Sequence, residues 1–307
     1  MEEKIFREKA DDLTNDLPRF PSLSSYMNGL NELSRMDLSN MNYDSLARLL
    51  YERAIIFQQT FGIRPSHIFN QSSFYRVRMN IKDDEDINLL RTYSYPLPSS
   101  CKRNGRANLK GKSVFYCSNH ALTSILESKP NAGEIGYLSV WQANTDRDIK
   151  YGICLPRDLT SDNEFRFMAN DIHKFIDEES FKRAGAKADH FRFFHQYVAE
   201  RFVNEKEPYF LTSCIANEML YGDTWRDFII YPSIANKAYS CNMAFHPNSA
   251  DTILKFSKVL RFRVESFHNG QISISQGKIG EFINSTIVWR QAKKNELYEI
   301  LNGFTPF

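Results

Sequence analysis

The spacing of apolar positions divides the chain into a helical opening, a mixed middle and a β-rich end. From near Asn42, the residues Leu46, Leu49, Leu50, Ala54 and Phe57 recur at three-to-four spacing. This single stripe predicts an amphipathic helix, with Gly62 as its stop and Pro65 beyond. Residues 1 to about 70 read as helical. Over 74–79 the pattern shortens to that of a strand, and the acidic tetrad Asp83-Asp84-Glu85-Asp86 after it reads as a solvated loop. An irregular segment with Pro96, Pro98, Gly105 and Gly111 leads into an apolar strand over 113–117. Ser118 or Asn119 is then placed to cap a short helix bearing Leu122, Ile125 and Leu126. Asn131-Ala132-Gly133 turns the chain into a strand over 135–141.

Two or three helices fill 162–221, one with the stripe Phe191, Phe194, Val198 and Phe202. Pro208 is placed to open the last of them and Gly222 to close it. A short strand over 228–231 ends at Pro232-Ser233. Asn269-Gly270, between apolar runs at 260–267 and 271–278, predicts a β-hairpin.

Composition adds bounds. With 307 residues, 42% hydrophobic, and 24 Phe and 15 Tyr, the chain can build a large aromatic core. A net charge of +2 favours no class of partner, and the N-terminal Met1-Glu2-Glu3-Lys4 lacks the apolar core of a signal peptide. Cys101, Cys117, Cys154, Cys214 and Cys241 form no CxxC pair, which fits reduced thiols and a cytoplasmic location. No run has the length of a membrane span.

Charge distribution is more telling. The forty residues between Asp86 and Glu127 contain no acid, where the chain average gives about five, yet hold Arg91, Lys102, Arg103, Arg106, Lys110 and Lys112. A basic, glycine-bearing loop suits an anionic ligand, because guanidinium and backbone donors face it without repulsion; a merely solvated loop is the plainer alternative. Glu127 ends this silence near a predicted helix C-terminus, where the backbone dipole disfavours a carboxylate. It needs either an arginine partner or a functional reason. Ser233 follows a strand end, a common place for a ligand site and for an ordinary turn. No Gly-x-Ser-x-Gly, HExxH, P-loop or GxGxxG is present, so serine hydrolase, zinc protease and nucleotide-fold classes lack support.

Phe74-Tyr75-Arg76-Val77-Arg78, Gly105-Arg106-Ala107-Asn108, Tyr116, Glu127, Tyr231-Pro232-Ser233 and Asn242-Met243-Ala244-Phe245 occur in an order that resembles the RES domain family, named for an arginine, a glutamate and a serine. The resemblance runs from about residue 73 to 245, somewhat over half the chain. Each motif alone is weak; their order is more specific. The chain departs from compact family members in its helical opening, its additional helices between Glu127 and Ser233, and its C-terminal extension. Only one of Arg76 and Arg78 is expected to enter a pocket, on the reading that they face opposite sides of a strand.

The resemblance implies an α+β, ADP-ribosyltransferase-like core of mixed strands with flanking helices. It divides the chain into a helical segment at 1–70, a catalytic domain at 71–250 and an extension at 251–307 with a hairpin. It further implies cleavage of the nicotinamide–ribose bond of NAD, as glycohydrolase or phosphorylase, in a bacterial toxin or defence effector. Glu127 is then expected to stabilise the developing positive charge, Arg76 and Arg106 to clamp the phosphate and ribose side, and Tyr116 and Tyr75 to stack on nicotinamide or position the ribose. Asn108 joins the binding set, Ser233 supplies a hydrogen bond to the ligand, and no metal is expected. Alternatives are protein ADP-ribosylation and a non-enzymatic nucleotide- or RNA-binding module. Expected partners are NAD itself, a neutralising antitoxin or regulatory protein, and a second copy of the chain. Neither a membrane nor nucleic acid is expected.

Overall fold

The computed structural model describes residues 21–54, 61–178, 187–223, 225–268 and 271–303. The fold is mixed α and β. Its helices are α1 (Leu23–Leu33), α2 (Tyr43–Ala54), α3 (Ser66–Phe69), α4 (Ala121–Glu127), α5 (Arg166–Asp177), α6 (Lys187–Asn204), α7 (Phe210–Tyr221), α8 (Pro247–Ile253) and α9 (Lys294–Leu301). The strands are β1 (Phe61–Arg64), β2 (Ser73–Met79), β3 (Phe115–Ser118), β4 (Ile135–Ala143), β5 (Ile149–Ile153), β6 (Phe228–Pro232), β7 (Cys241–Phe245), β8 (Leu254–His268), β9 (Gln271–Ile283) and β10 (Thr286–Gln291). Among the described residues, no helix is long and apolar enough to cross a membrane.

The chain divides into two compact units, Met1–Gln58 with Phe175–Phe194, and Gln59–Lys174 with His195–Phe307. In the first, the Tyr26 hydroxyl donates to the Ala54 carbonyl, and its ring lies 4.8 Å from that of His190. Leu46, Leu50 and Ala54 form the buried side of α2, as the stripe predicts; Phe57 lies outside the described residues. Gly62 is not a helix stop. It sits in β1, where the tyrosine ring of Tyr151 leaves no room for a Cβ, so the reading of 1–70 as helical throughout is corrected by a strand.

The second unit is built on a ten-stranded sheet in the order β1-β5-β6-β7-β3-β2-β4-β8-β9-β10, antiparallel except for β5 beside β6. Period-two alternation feeds a separate core on each face. Phe74 of β2 and Trp141 of β4 enter an aromatic cluster with Phe115, Phe228, Phe245 and Phe256. Tyr75 of β2 and Leu138 and Val140 of β4 enter the other, against Ala121 and Ile125 of α4. Edge-to-face contacts such as Phe115–Trp141, with centroids 5.1 Å apart, add about 0.5–1.5 kcal/mol beyond burial. The hairpin predicted near the C-terminus forms as β8 and β9, paired through His268 and Gln271; its turn residues 269–270 lie outside the described residues. All five cysteines are unpaired thiols.

Candidate functional site

The central strands set up the site by failing to stay together. β2 and β3 share a single backbone pair, Tyr75 with Ser118, and then part. Arg76 spans the gap: its Nη1 donates to the Tyr116 carbonyl at 2.9 Å and its Nε to the Ser94 carbonyl at 3.2 Å. A cavity of about 570 Å³ opens at this split, within the roughly 300–1,000 Å³ of small-molecule sites. Consecutive residues of each strand line it, Arg76 with Val77 and Tyr116 with Cys117. That is the mark of a cleft between strands, because successive side chains point to opposite faces. Arg76, Arg103, Arg106 and Lys129 line the cavity against Glu127 and Glu207, so its walls favour an anion.

The reading that Arg76 and Arg78 face opposite ways is wrong, since residues two apart on a strand share a face. Partners separate them instead. Arg78 makes two bonds to Glu85, at 2.8 and 2.9 Å, and a third to the Thr92 carbonyl. The acidic tetrad is therefore a loop with two members anchored, Glu85 by Arg78 and Asp86 by bonds from Asn88 N–H and the Thr92 hydroxyl. Burial first, and then the charge of Arg78, bring the Arg76 guanidinium down to about 10, so it is a cation at neutral pH.

Gly105-Arg106-Ala107-Asn108 closes a tight turn, with Gly105 N–H donating to the Asn108 carbonyl at 2.9 Å. The Tyr116 hydroxyl pins it, donating to Asn108 Oδ1 at 2.9 Å and accepting from Ala107 N–H at 2.8 Å. A Cβ at Gly105 would stand 2.3 Å from Asn108 Oδ1 and 2.8 Å from that hydroxyl, which is why glycine is needed there. Arg106 leaves the turn to donate to the Phe202 carbonyl and to lie over the Tyr209 ring, 4.8 Å from its centroid. Of the six cations in the acid-free stretch, only Arg103 and Arg106 line the cavity; Arg91 and Lys112 lie over Tyr95 and Tyr221.

Glu127 is the last residue of α4. The helix is capped at its start by His120, whose Nδ1 accepts from Leu122 N–H, rather than by Ser118 or Asn119. It ends at Ser128, and Lys129 takes a left-handed φ of 48°. Ser233 Oγ donates to Glu127 Oε1 at 2.5 Å, and Asn242 Nδ2 donates to the same oxygen at 2.7 Å. No cation pairs with this carboxylate among the described residues, and Oε2 carries no bond from them. The dipole penalty at the helix end is thus met by two neutral donors, and the negative charge stays available.

The named residues separate into three groups. Arg76, Arg106, Tyr116 and Glu127 line the cavity. Ser233 is fully buried behind Glu127, with its hydroxyl engaged there, and Asn108 acts through Tyr116. Tyr75 is 6% exposed and packs in the core against α4, away from the lining. Sequence reasoning missed Asn242 as a site residue, although the late asparagine motif contained it. It also missed Tyr209 and Lys129, both with left-handed backbones that the sequence does not announce. Among the described residues, no group of three or more His, Cys, Asp or Glu could hold a metal ion. No family model, no curated protein and no solved structure matches this chain.

Proposed function

We propose that this chain consumes NAD by breaking the nicotinamide–ribose bond, on an ADP-ribosyltransferase-like core of the RES kind. The observation that carries the reading is the Glu127 carboxylate, held through one oxygen by Ser233 and Asn242, without a cation partner, in a cavity walled by arginines. Departure of nicotinamide builds positive charge at the anomeric carbon. A carboxylate whose charge is not spent on an ion pair stabilises that charge, and its open Oε2 can hold a ribose hydroxyl.

The C1′–N bond breaks with its electron pair passing to the pyridinium ring, so nicotinamide leaves neutral and needs no general acid. Water or phosphate supplies the new C1′–O bond and releases a proton to solvent. Arg76 and Arg106 hold the pyrophosphate and ribose side through planar donors, and Tyr116 presents its ring beside the ribose. Ser233 serves the ligand indirectly, by holding Glu127. Because NAD is shared by many dehydrogenases, such a catalyst would be toxic unless restrained, which fits a toxin or defence effector with a neutralising partner.

The test is to incubate full-length protein with NAD, with and without phosphate, and identify products by mass spectrometry. Nicotinamide should appear together with ADP-ribose or its phosphorylated form, and Glu127→Gln should lower turnover by at least ~100-fold while melting normally. Mass added to a protein would favour ADP-ribosylation. No nicotinamide release, together with salt-dependent binding of nucleic acid, would favour a binding module.

A further inference from the structure

Tyr209 stands in the loop between α6 and α7 with φ 54° and ψ 46°, a left-handed backbone on a residue that has a Cβ. Such a conformation costs roughly 1–2 kcal/mol and gathers at sites where the surroundings require it. Tyr209 precedes α7 and its carbonyl accepts from Ser213 N–H at 3.1 Å, but side-chain capping does not require the left-handed backbone. The Tyr209 side chain makes no capping bond; Glu205 does that work, accepting from Leu211 N–H at 2.9 Å and Thr212 N–H at 2.7 Å. Nor does core packing, because Tyr209 is half-buried and lines the cavity. What the backbone achieves is to set the ring against the Arg106 guanidinium, with only a long 3.5 Å contact from Arg106 Nη2 to its hydroxyl.

Other aromatic residues near the cavity are committed. Tyr75 is in the core, Tyr231 is buried against Phe202, and the Tyr116 hydroxyl is bonded into the turn. A flat ring backed by a guanidinium in an arginine-walled cavity suits a heteroaromatic base attached to a phosphate. We infer that Tyr209, backed by Arg106, is a stacking platform for a base of the bound nucleotide. This rests on the proposed reading of the cavity as a nucleotide site and adds a specificity residue to it. The base is either adenine or nicotinamide, and two ligands tell them apart.

Full-length parent, Tyr209→Leu, Tyr209→Phe and Tyr209→Gly are titrated calorimetrically with ADP-ribose, which carries adenine alone, and with nicotinamide mononucleotide. Tyr239→Leu, an exposed tyrosine outside the lining, is the control. Tyr209→Leu should weaken at least one ligand by about tenfold or more; the ligand affected identifies the base. Tyr209→Phe should bind that ligand more tightly than Tyr209→Leu does. Tyr209→Gly, which relieves the backbone, should melt no lower than the parent and still bind weakly. This keeps the test informative if the leucine variant does not fold. Equal affinity of parent, Tyr209→Leu and Tyr209→Gly for both ligands overturns the inference and leaves the nucleotide reading standing. Failure of the parent to bind either ligand overturns both.

Discussion

Asn242 and Glu127 meet at the wall of the cavity: the Asn242 amide donates at 2.7 Å to the carboxylate oxygen that Ser233 also holds. Asn242 reaches this position because β7 lies between β6 and β3, pairing it with Tyr231 on one side and Ser118 on the other. Two neighbouring elements, β7 and the Ser233 turn, therefore fix one oxygen of a carboxylate that lines the cavity and leave the other without a bond from the described residues. This is how a neutral pair can orient a charge without cancelling it.

If orientation is their role, Ser233→Ala and Asn242→Ala each lower kcat by about tenfold or more while KM changes little, since a hydrogen bond to a charged group contributes roughly 1.5–3 kcal/mol. The double variant approaches Glu127→Gln. Asn242→Asp sets a second carboxylate against Glu127, so the pair holds a proton and the pH–rate profile shifts. Steady-state kinetics across pH checks this; an unchanged profile for Asn242→Asp means the contact does not act in the reaction.

The arginines should separate by environment. Arg103 and its partner Glu207 are 83% and 56% exposed, 3.5 Å apart, so their pair is worth about 0–1 kcal/mol. Arg76 and Arg106 each make backbone bonds inside the site. Calorimetry with ADP-ribose should show at least about tenfold weaker binding for Arg76→Ala and Arg106→Ala. The loss for Arg103→Ala should stay within about threefold. Equal losses at all three positions would indicate a diffuse basic surface.

Much of this unit is legible from local pattern. The strands over 74–79, 135–141 and 228–231, the Asn269-Gly270 hairpin and the Gly222 stop follow from alternation and turn chemistry, which act over a few residues. The edge strand at Gly62 is not, because Tyr151, almost ninety residues later, determines it. The same distinction holds at the site. Glu127 is conspicuous as an acid at a helix end after an acid-free stretch, and that is a local signal. Its holding by Asn242, and the loss of Ser233 to the same task, depend on a strand order that composition and period do not encode. Tyr75, which the resemblance places at the nicotinamide or the ribose, is instead a core residue, because it and Arg76 are neighbours on a strand and face opposite sides of the sheet.

Glu164 offers a pH test independent of activity. Burial raises its carboxyl to about 7, opposed by a hydrogen bond from the Asn119 amide. The folded chain thus holds this proton more tightly than the unfolded chain does. The stability it contributes is full below the ordinary carboxylate range and is lost as pH rises through about 7. The parent should therefore lose melting temperature between pH 5 and 7.5 relative to Glu164→Gln, which has no such proton. Parallel curves for the two proteins would show that Glu164 titrates normally.

Gly303 follows α9 in the C-terminal extension. Its carbonyl accepts from Ala121 N–H at 3.1 Å, the first backbone donor of the helix that carries Glu127. A Cβ there would stand 2.4 Å from the Tyr75 hydroxyl and 2.8 Å from the Ile300 carbonyl. The side-chain contact can yield by moving Tyr75, but the backbone contact cannot yield without displacing the end of α9. Gly303→Ala should therefore destabilise the protein by about 1–3 kcal/mol, lowering the melting temperature by roughly 2–4 °C for each kcal/mol. Tyr75→Phe removes the nearer obstacle, so the double variant should be more stable than the sum of the single effects predicts, with a coupling of about 0.5 kcal/mol or more. The strain also bears on α4, so nicotinamide release by Gly303→Ala should fall even well below its melting point. Additive effects in the cycle would mean that Gly303 and Tyr75 do not press on one another. An unchanged melting temperature for Gly303→Ala would mean that the C-terminal segment does not support the Glu127 helix.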